Sequence, residues 1–129
     1  MTARLTLGKA ERLKSRKSID QLFKEGQRFG VGTIRVFYRP VAQTGIRMGV
    51  GVSARVVKLA VQRNRIKRLL REAFRLQKAT LQVSLSSAAG VDVFFIYTAS
   101  EAASFADVFQ QMGKALTKLN QALATTPNK

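Results

Sequence analysis

The groups in this chain that could do chemistry are cations, and their spacing points them one way. Arg63, Asn64, Lys67, Arg68, Arg71, Arg75 and Lys78 recur so that, at ~100° per residue, they gather on one side of a helix. Ile66, Leu69, Ala73 and Leu76 gather on the other side, with Leu70 and Phe74 at its margin. Glu72 interrupts the positive sign, and Arg65 sits apart from the main cluster. Like charges four residues apart, as in Arg63–Lys67–Arg71–Arg75, each cost an isolated helix about 0.2–0.5 kcal/mol. A solvated face normally mixes its signs, whereas a nearly pure one presents charge to a polyanion. Guanidinium offers a planar fork of donors that matches phosphate oxygens and stacks on bases. Arg55 and Lys58 extend the patch upstream. If roughly six to ten of these groups each meet a phosphate, affinity falls about 10³- to 10⁵-fold between ~50 and ~200 mM salt.

Phe23, Arg35 and Phe37 form a second constellation. In the alternating segment Thr33–Arg39, Ile34, Val36 and Tyr38 share one face, while Arg35, Phe37 and Arg39 share the other. Aromatics interleaved with arginine on an open sheet stack and hold single-stranded nucleic acid. The residues alone leave an alternative open, in which Phe23 simply packs a short helix onto the sheet.

The absences are as informative. The chain has no His and no Cys, which excludes imidazole acid–base chemistry, thiol nucleophiles, disulfides and zinc sites. A metal-dependent nuclease needs clustered carboxylates, and the 7 Asp and Glu are scattered. Asp92 opens a strand, Glu72 lies among arginines and is expected to pair with them, and Asp107 reads as charge at a helix N-terminus. No catalytic residue and no protein-bound metal or cofactor is expected. The lack of Cys suits a reducing compartment, no apolar run approaches the ~18 residues of a membrane span, and Met1–Ala10 lacks the apolar stretch of a secretory signal. The expectation is a cytoplasmic nucleic-acid binder with no membrane partner.

Charge distribution supports a defined surface. The chain carries 23 Lys and Arg against 7 Asp and Glu, a formal +16, and self-repulsion of that size calls for a polyanionic partner. The excess lies in residues 1–78; beyond them Lys114, Lys118 and Lys129 balance Asp92, Glu101 and Asp107. At 129 residues and 46% apolar, the chain fits one domain with one core. That domain is expected over residues 1–123, with 124–129 a frayed tail.

The elements that must position these groups follow from periodicity. A short helix is expected over Ser18–Glu25, stopped by Gly26. Thr33–Arg39 reads as a strand that Pro40 ends. Arg47–Ser53 is a second, with Met48, Val50 and Val52 inward, and with Gly49 and Gly51 allowing close approach to its outer face. A long helix over Leu59–Lys78 follows, then a loop over Leu81–Gly90 and an apolar central strand over Val91–Thr98. Ser104 is placed to cap a last helix with the stripe Phe105, Val108, Phe109, Met112, Leu116, Leu119 and Leu123. The order α-β-β-α-β-α makes an α+β sandwich of helices on one sheet.

The run Arg63-Asn64-Arg65-Ile66-Lys67-Arg68-Leu69-Leu70-Arg71-Glu72-Ala73-Phe74-Arg75 resembles the RNR signature of the protein subunit of bacterial ribonuclease P. The spacing is far more specific than a generic basic helix. Arg12-Leu13-Lys14, the short helix with Phe23 and Gly26, Arg47-Met48-Gly49-Val50-Gly51-Val52-Ser53 and the strand near 91–97 fall in the same family order. The resemblance implies an α-β-β-β-α-β-α domain, a ribosomal-protein-like two-layer fold with a left-handed βαβ crossover. It also implies that the chain assists a catalytic RNA in hydrolytic removal of the 5′ leader from precursor tRNA. In that reading one protein joins one RNA, and the RNA and substrate phosphates hold the magnesium ions. The family's contact with the catalytic RNA maps onto Arg55, Lys58, Arg63, Asn64, Arg65, Lys67, Arg68, Arg71 and Arg75. Its leader cleft, between the first helix and the sheet, maps onto Phe23 and Phe37, with Arg35 adjacent by position.

Some positions depart from the family pattern. Ile19 stands where an aromatic is usual, Ala54-Arg55 where two basic residues are common, and Thr98-Ala99 where basic residues often follow the last strand. These imply thinner leader contacts beside an intact RNR helix. A structural RNA-binding protein of ribosomal kind fits the charge equally and lacks only the RNR spacing and cleft. A membrane-active cationic protein needs a free apolar helix face, whereas Ile66 and Leu69 are expected in the core. A protein-only nuclease lacks the carboxylates.

Overall fold

The computed structural model describes residues 16–41, 45–82, 90–99 and 104–125. Its elements run α1 (Arg16–Glu25), β1 (Gln27–Val31), β2 (Ile34–Val41), β3 (Gly45–Val52), α2 (Ala60–Gln82), β4 (Gly90–Tyr97) and α3 (Phe105–Thr125). This is the α+β order the family resemblance implies. Arg12–Lys14, most of the loop expected over 81–90 and the tail from 126 lie outside the described residues, as do the side chains of Lys78 and Leu123.

Strand β1 is the element that periodicity does not announce. It has five residues, of which Phe29 and Val31 are half-buried, too little alternation to stand out. Pairing supplies what composition lacks, with β1 running antiparallel to β2 from Gln27↔Tyr38 to Val31↔Ile34. The turn between them places Gly32 at φ 55°, a conformation that favours glycine. Thr33 ties this turn to α3, donating from its N–H at 2.7 Å to Gln111 Oε1.

The strand order is β1-β2-β4-β3, with β2 antiparallel to β4 and β3 parallel to β4. Parallel neighbours cannot be joined by a hairpin, so the chain crosses over through α2. On one sheet face Ile34, Val36, Tyr38, Met48, Val93 and Phe95 pack against Ile66, Leu70 and Phe74 of α2 and Val108, Met112 and Leu116 of α3. Helix α1 lies on the opposite face, where Phe23 meets Phe37 and Phe94. Gly26 stops α1 as expected, its N–H donating to the Leu22 carbonyl at 2.8 Å.

Helix α2 runs to Gln82, past the expected end at Lys78, so Leu81 and Gln82 belong to the helix and not to the expected loop. Two further expectations need correction. Pro40 does not end β2, which continues to Val41 and pairs Pro40 with Val91 of β4. Strand β1 reaches only as far as Tyr38, so Pro40 has one neighbouring strand and its missing N–H leaves no second ladder broken. Helix α2 is also rotated from the arrangement that periodicity alone suggests. Its buried side centres on Leu70, Ala73 and Phe74 with Ile66, while Leu69 is half-buried and Leu76 is 40% exposed. Helix α2 packs against both β3 and α3, and Ile66, Leu70, Ala73 and Phe74 are the side chains it gives to their common core.

Helix α3 starts as its sequence indicates, with Ser104 Oγ accepting from the Asp107 N–H at 3.1 Å. Val108, Met112, Leu116 and Leu119 are buried, while Phe105 remains exposed at the open end of the stripe. Ala124 and Thr125, expected in the tail, continue the helix. Among the described residues no helix is long and apolar enough to cross a membrane.

Candidate nucleic-acid interface

The rotation of α2 decides which of the polar side chains face outward. Asn64, Arg65, Arg68 and Arg71 are exposed, and Lys67 is half-buried. Arg65, set apart by simple periodicity, therefore joins the outward stripe. Glu72 does pair with an arginine, accepting from Arg75 Nε at 3.1 Å and from Arg75 Nη2. That bond holds the Glu72 carboxyl below its ordinary value and raises the Arg75 guanidinium.

Arg63 moves the other way. It lies at the margin of the buried side, half-buried, and its Nη1 donates to the carbonyls of Val57 and Lys58 at 2.8 and 2.9 Å. A residue mapped to RNA contact thus also fastens the segment leading into the helix. That segment carries Arg55 and Lys58, both exposed. The Arg55 N–H donates to Ser53 Oγ at 3.2 Å, which shapes the turn that presents it.

The aromatic constellation gathers on the sheet face away from the core. Phe37 and Phe94 are cross-strand partners of β2 and β4. Phe23 of α1 sets its ring edgewise to both, with centroids 4.9 Å and 5.2 Å away. Phe23 packs the helix onto the sheet and still stays 40% exposed, so the two readings of this residue are compatible. Gly51 of β3 provides the close approach expected of it: a Cβ there would stand 3.0 Å from the Phe94 ring. Arg35 is exposed on the same face, between Gly30 of β1 and Ile96 of β4. A Cβ at Gly30 would meet nothing within 4 Å, so the sheet is open beside Arg35.

Arg28, Phe94 and the Arg47–Asp92 pair also belong to this face, and periodicity does not single them out. Arg28 is exposed and pairs across β1 and β2 with Phe37, which puts a second guanidinium beside the aromatics. Periodicity hides it because it hides β1. Phe94 does not stand out within an all-apolar strand, although Asp92 two residues earlier marks the phase of the outer face. Arg47 and Asp92, cross-strand partners of β3 and β4, close a bidentate ion pair at 2.9 and 2.8 Å. The Asp92 hydrogen bond raises the Arg47 guanidinium above its ordinary value.

Three of the described carboxylates are taken up by arginines. Among the described residues no three His, Cys, Asp or Glu side chains converge. Asp92 is held by Arg47, Glu72 by Arg75 and Glu25 by Arg39 at 3.2 Å. Each of these faces a guanidinium, a poor setting for a divalent cation.

Comparison with known proteins gives a consistent answer. The family model described as Ribonuclease P matches residues 7–120. The ribonuclease P protein component of Porphyromonas gingivalis W83 is 36% identical over 117 residues, covering 88% of this chain and 85% of that protein. That of Syntrophus aciditrophicus is 34% identical over 119 residues, covering 89% and 92%. The fold is shared with the solved RNase P protein of Staphylococcus aureus, at TM-score 0.67 and 22% identity over 89% of this chain and 99% of that one. It is shared too with that of Thermotoga maritima, at TM-score 0.60 and 24% identity over 92% and 99%. With exposed cations of the RNR run on the outward side of α2 and the family match spanning nearly every described element, the chain belongs to the ribonuclease P protein component family.

Proposed function

We propose that two surfaces divide the work of this ribonuclease P protein. The chain partners the ribonuclease P RNA in a ribonucleoprotein endoribonuclease that processes tRNA. On the first surface Arg55, Lys58, Arg65, Lys67, Arg68 and Arg71 neutralise phosphates of that RNA and Asn64 hydrogen-bonds to it, while Arg63 holds their approach segment in shape. Arg75 contributes beside Glu72. Fixed cations where two polyanions meet lower a repulsion that salt or magnesium would otherwise have to screen.

On the second surface the single-stranded 5′ leader of precursor tRNA lies across the outer sheet face. Phe23, Phe37 and Phe94 stack its bases, and Arg28 and Arg35 meet its phosphates. A site that holds the leader favours precursor over mature tRNA by differential affinity. The observation that carries this reading is the aromatic trio, joined across three elements and left accessible beside two exposed arginines. Bond cleavage belongs to the RNA, which with substrate phosphates holds the magnesium ions. One protein serves one RNA, in the cytoplasm.

The deciding experiment compares Phe37→Ala with the unmodified chain in the assembled enzyme. Base–aromatic stacking is worth about 1–3 kcal/mol per base, so precursor affinity should drop about 5- to 150-fold while mature tRNA binds as before. Equal losses for both would remove the cleft from the mechanism. Cleavage by the chain without RNA would overturn the assignment of chemistry to the RNA.

A further inference from the structure

Two aliphatic side chains stand in water where the cationic surface begins. Leu59 is 63% exposed and Val61 is 78% exposed. They are not exposed through looseness. Val57, just upstream, is buried in the main core and anchors the turn. The Val57 N–H donates to the Ser53 carbonyl at 2.9 Å, and Arg63 Nη1 holds the Val57 and Lys58 carbonyls. The Leu59 carbonyl accepts from the Arg63 N–H at 3.0 Å. Backbone on both sides of Leu59 is therefore fixed, and its side chain is held outward. On α2, Val61 precedes Asn64 and Arg65 by one turn and Arg68 by two, so it heads the outward stripe.

We propose that Leu59 and Val61 make an apolar contact with the catalytic RNA, packing on the base or ribose face of an unpaired nucleotide while the neighbouring cations hold its phosphates. The inference rests on the reading of α2 as the RNA-binding surface and adds a component that charge does not supply. The flanking cations Arg55, Lys58, Arg65 and Arg68, all exposed, identify the occupant as a polyanion. A second copy of this chain would bring another +16 against the patch. A regular duplex shows mainly phosphate to such a surface, whereas unpaired RNA splays its bases toward apolar side chains. Apolar burial releases no counterions, so this contact is insensitive to salt, unlike the arginine contacts.

The test measures affinity for the catalytic RNA across a salt series with Leu59→Ser/Val61→Ser, and separately with Val61→Thr, which preserves shape. Thermal unfolding checks that each variant folds. The expected result is about a tenfold loss for the double variant at every salt concentration with an unchanged salt slope, and a smaller loss for Val61→Thr. Unchanged affinity overturns the proposal, and so does a loss accompanied by a shallower slope, which would mean that the substitutions act through the cations. Loss of self-association with RNA affinity intact also overturns it, assigning the patch to a second copy. If Arg68→Ala/Arg71→Ala loses affinity while the serine variant does not, this inference alone fails. If neither variant changes affinity, the underlying reading of α2 fails with it.

Discussion

Arg47 and Asp92 face each other in register across β3 and β4, and the guanidinium closes on the carboxylate through two hydrogen bonds. The aspartate side chain is 1% exposed and the arginine 34%. The pair lies on the same sheet face as Phe94, two residues along β4, and so stiffens the floor beneath the aromatic trio. Removing the arginine strands a buried carboxylate. Arg47→Ala should cost about 2–3 kcal/mol, below the ~3–5 kcal/mol of a fully enclosed pair because Arg47 reaches solvent. Chemical denaturation measures this loss. Asp92→Asn added to Arg47→Ala should restore part of it, since the stranded charge is then gone.

The Glu72–Arg75 pair gives a pH signature. The folded-state value of Glu72 is lowered from 4.5 by the Arg75 hydrogen bond. Its stabilising contribution is therefore fully present above the unfolded value and is lost as pH falls through the lower folded value. The Tm difference between the unmodified chain and Glu72→Gln should be constant above about pH 5.5 and shrink progressively below about pH 4.5. A difference that grows on acidification would reverse this assignment.

Arg68 and Arg71 are exposed on the outward side of α2, so their loss should spare the fold. Arg68→Ala/Arg71→Ala should weaken binding of the catalytic RNA and reduce the salt slope by about 1.5, as two phosphate contacts disappear. Filter binding across a salt series, with thermal unfolding as control, reads both quantities. An unchanged slope would place the phosphates elsewhere on the chain.

Gly51 offers a test of the cleft that replaces no aromatic residue. A methyl group there meets the Phe94 ring at 3.0 Å, and Phe94 in turn supports Phe23. Gly51→Ala should displace the ring, cost about 1 kcal/mol of stability and reduce the preference for precursor over mature tRNA. Affinity for the catalytic RNA should not change. Intact precursor preference would show that Phe94 does not help to grip the leader.

Much of this protein was legible in its residues because the information is local. The RNR run fixes a helix and its sign of charge by spacing alone, and Ile34, Val36 and Tyr38 declare the core face of β2 by alternation. Ser104 and Gly26 mark helix ends through hydrogen bonds that span three or four residues. The absence of His and Cys, visible at once, excluded whole classes of chemistry.

What tertiary structure decided is non-local. Strand β1 exists because β2 is there to pair with it, and with it came Arg28 beside Phe37. Helix α2 settled its rotation against β3 and α3, turning Arg63 inward to hold backbone carbonyls and leaving Arg65 and Val61 outward. Asp92 found Arg47 forty-five positions away. A chain's periodicity states which side chains share a face; which face meets a neighbour is set by packing, where side chains from distant segments compete for the same buried volume.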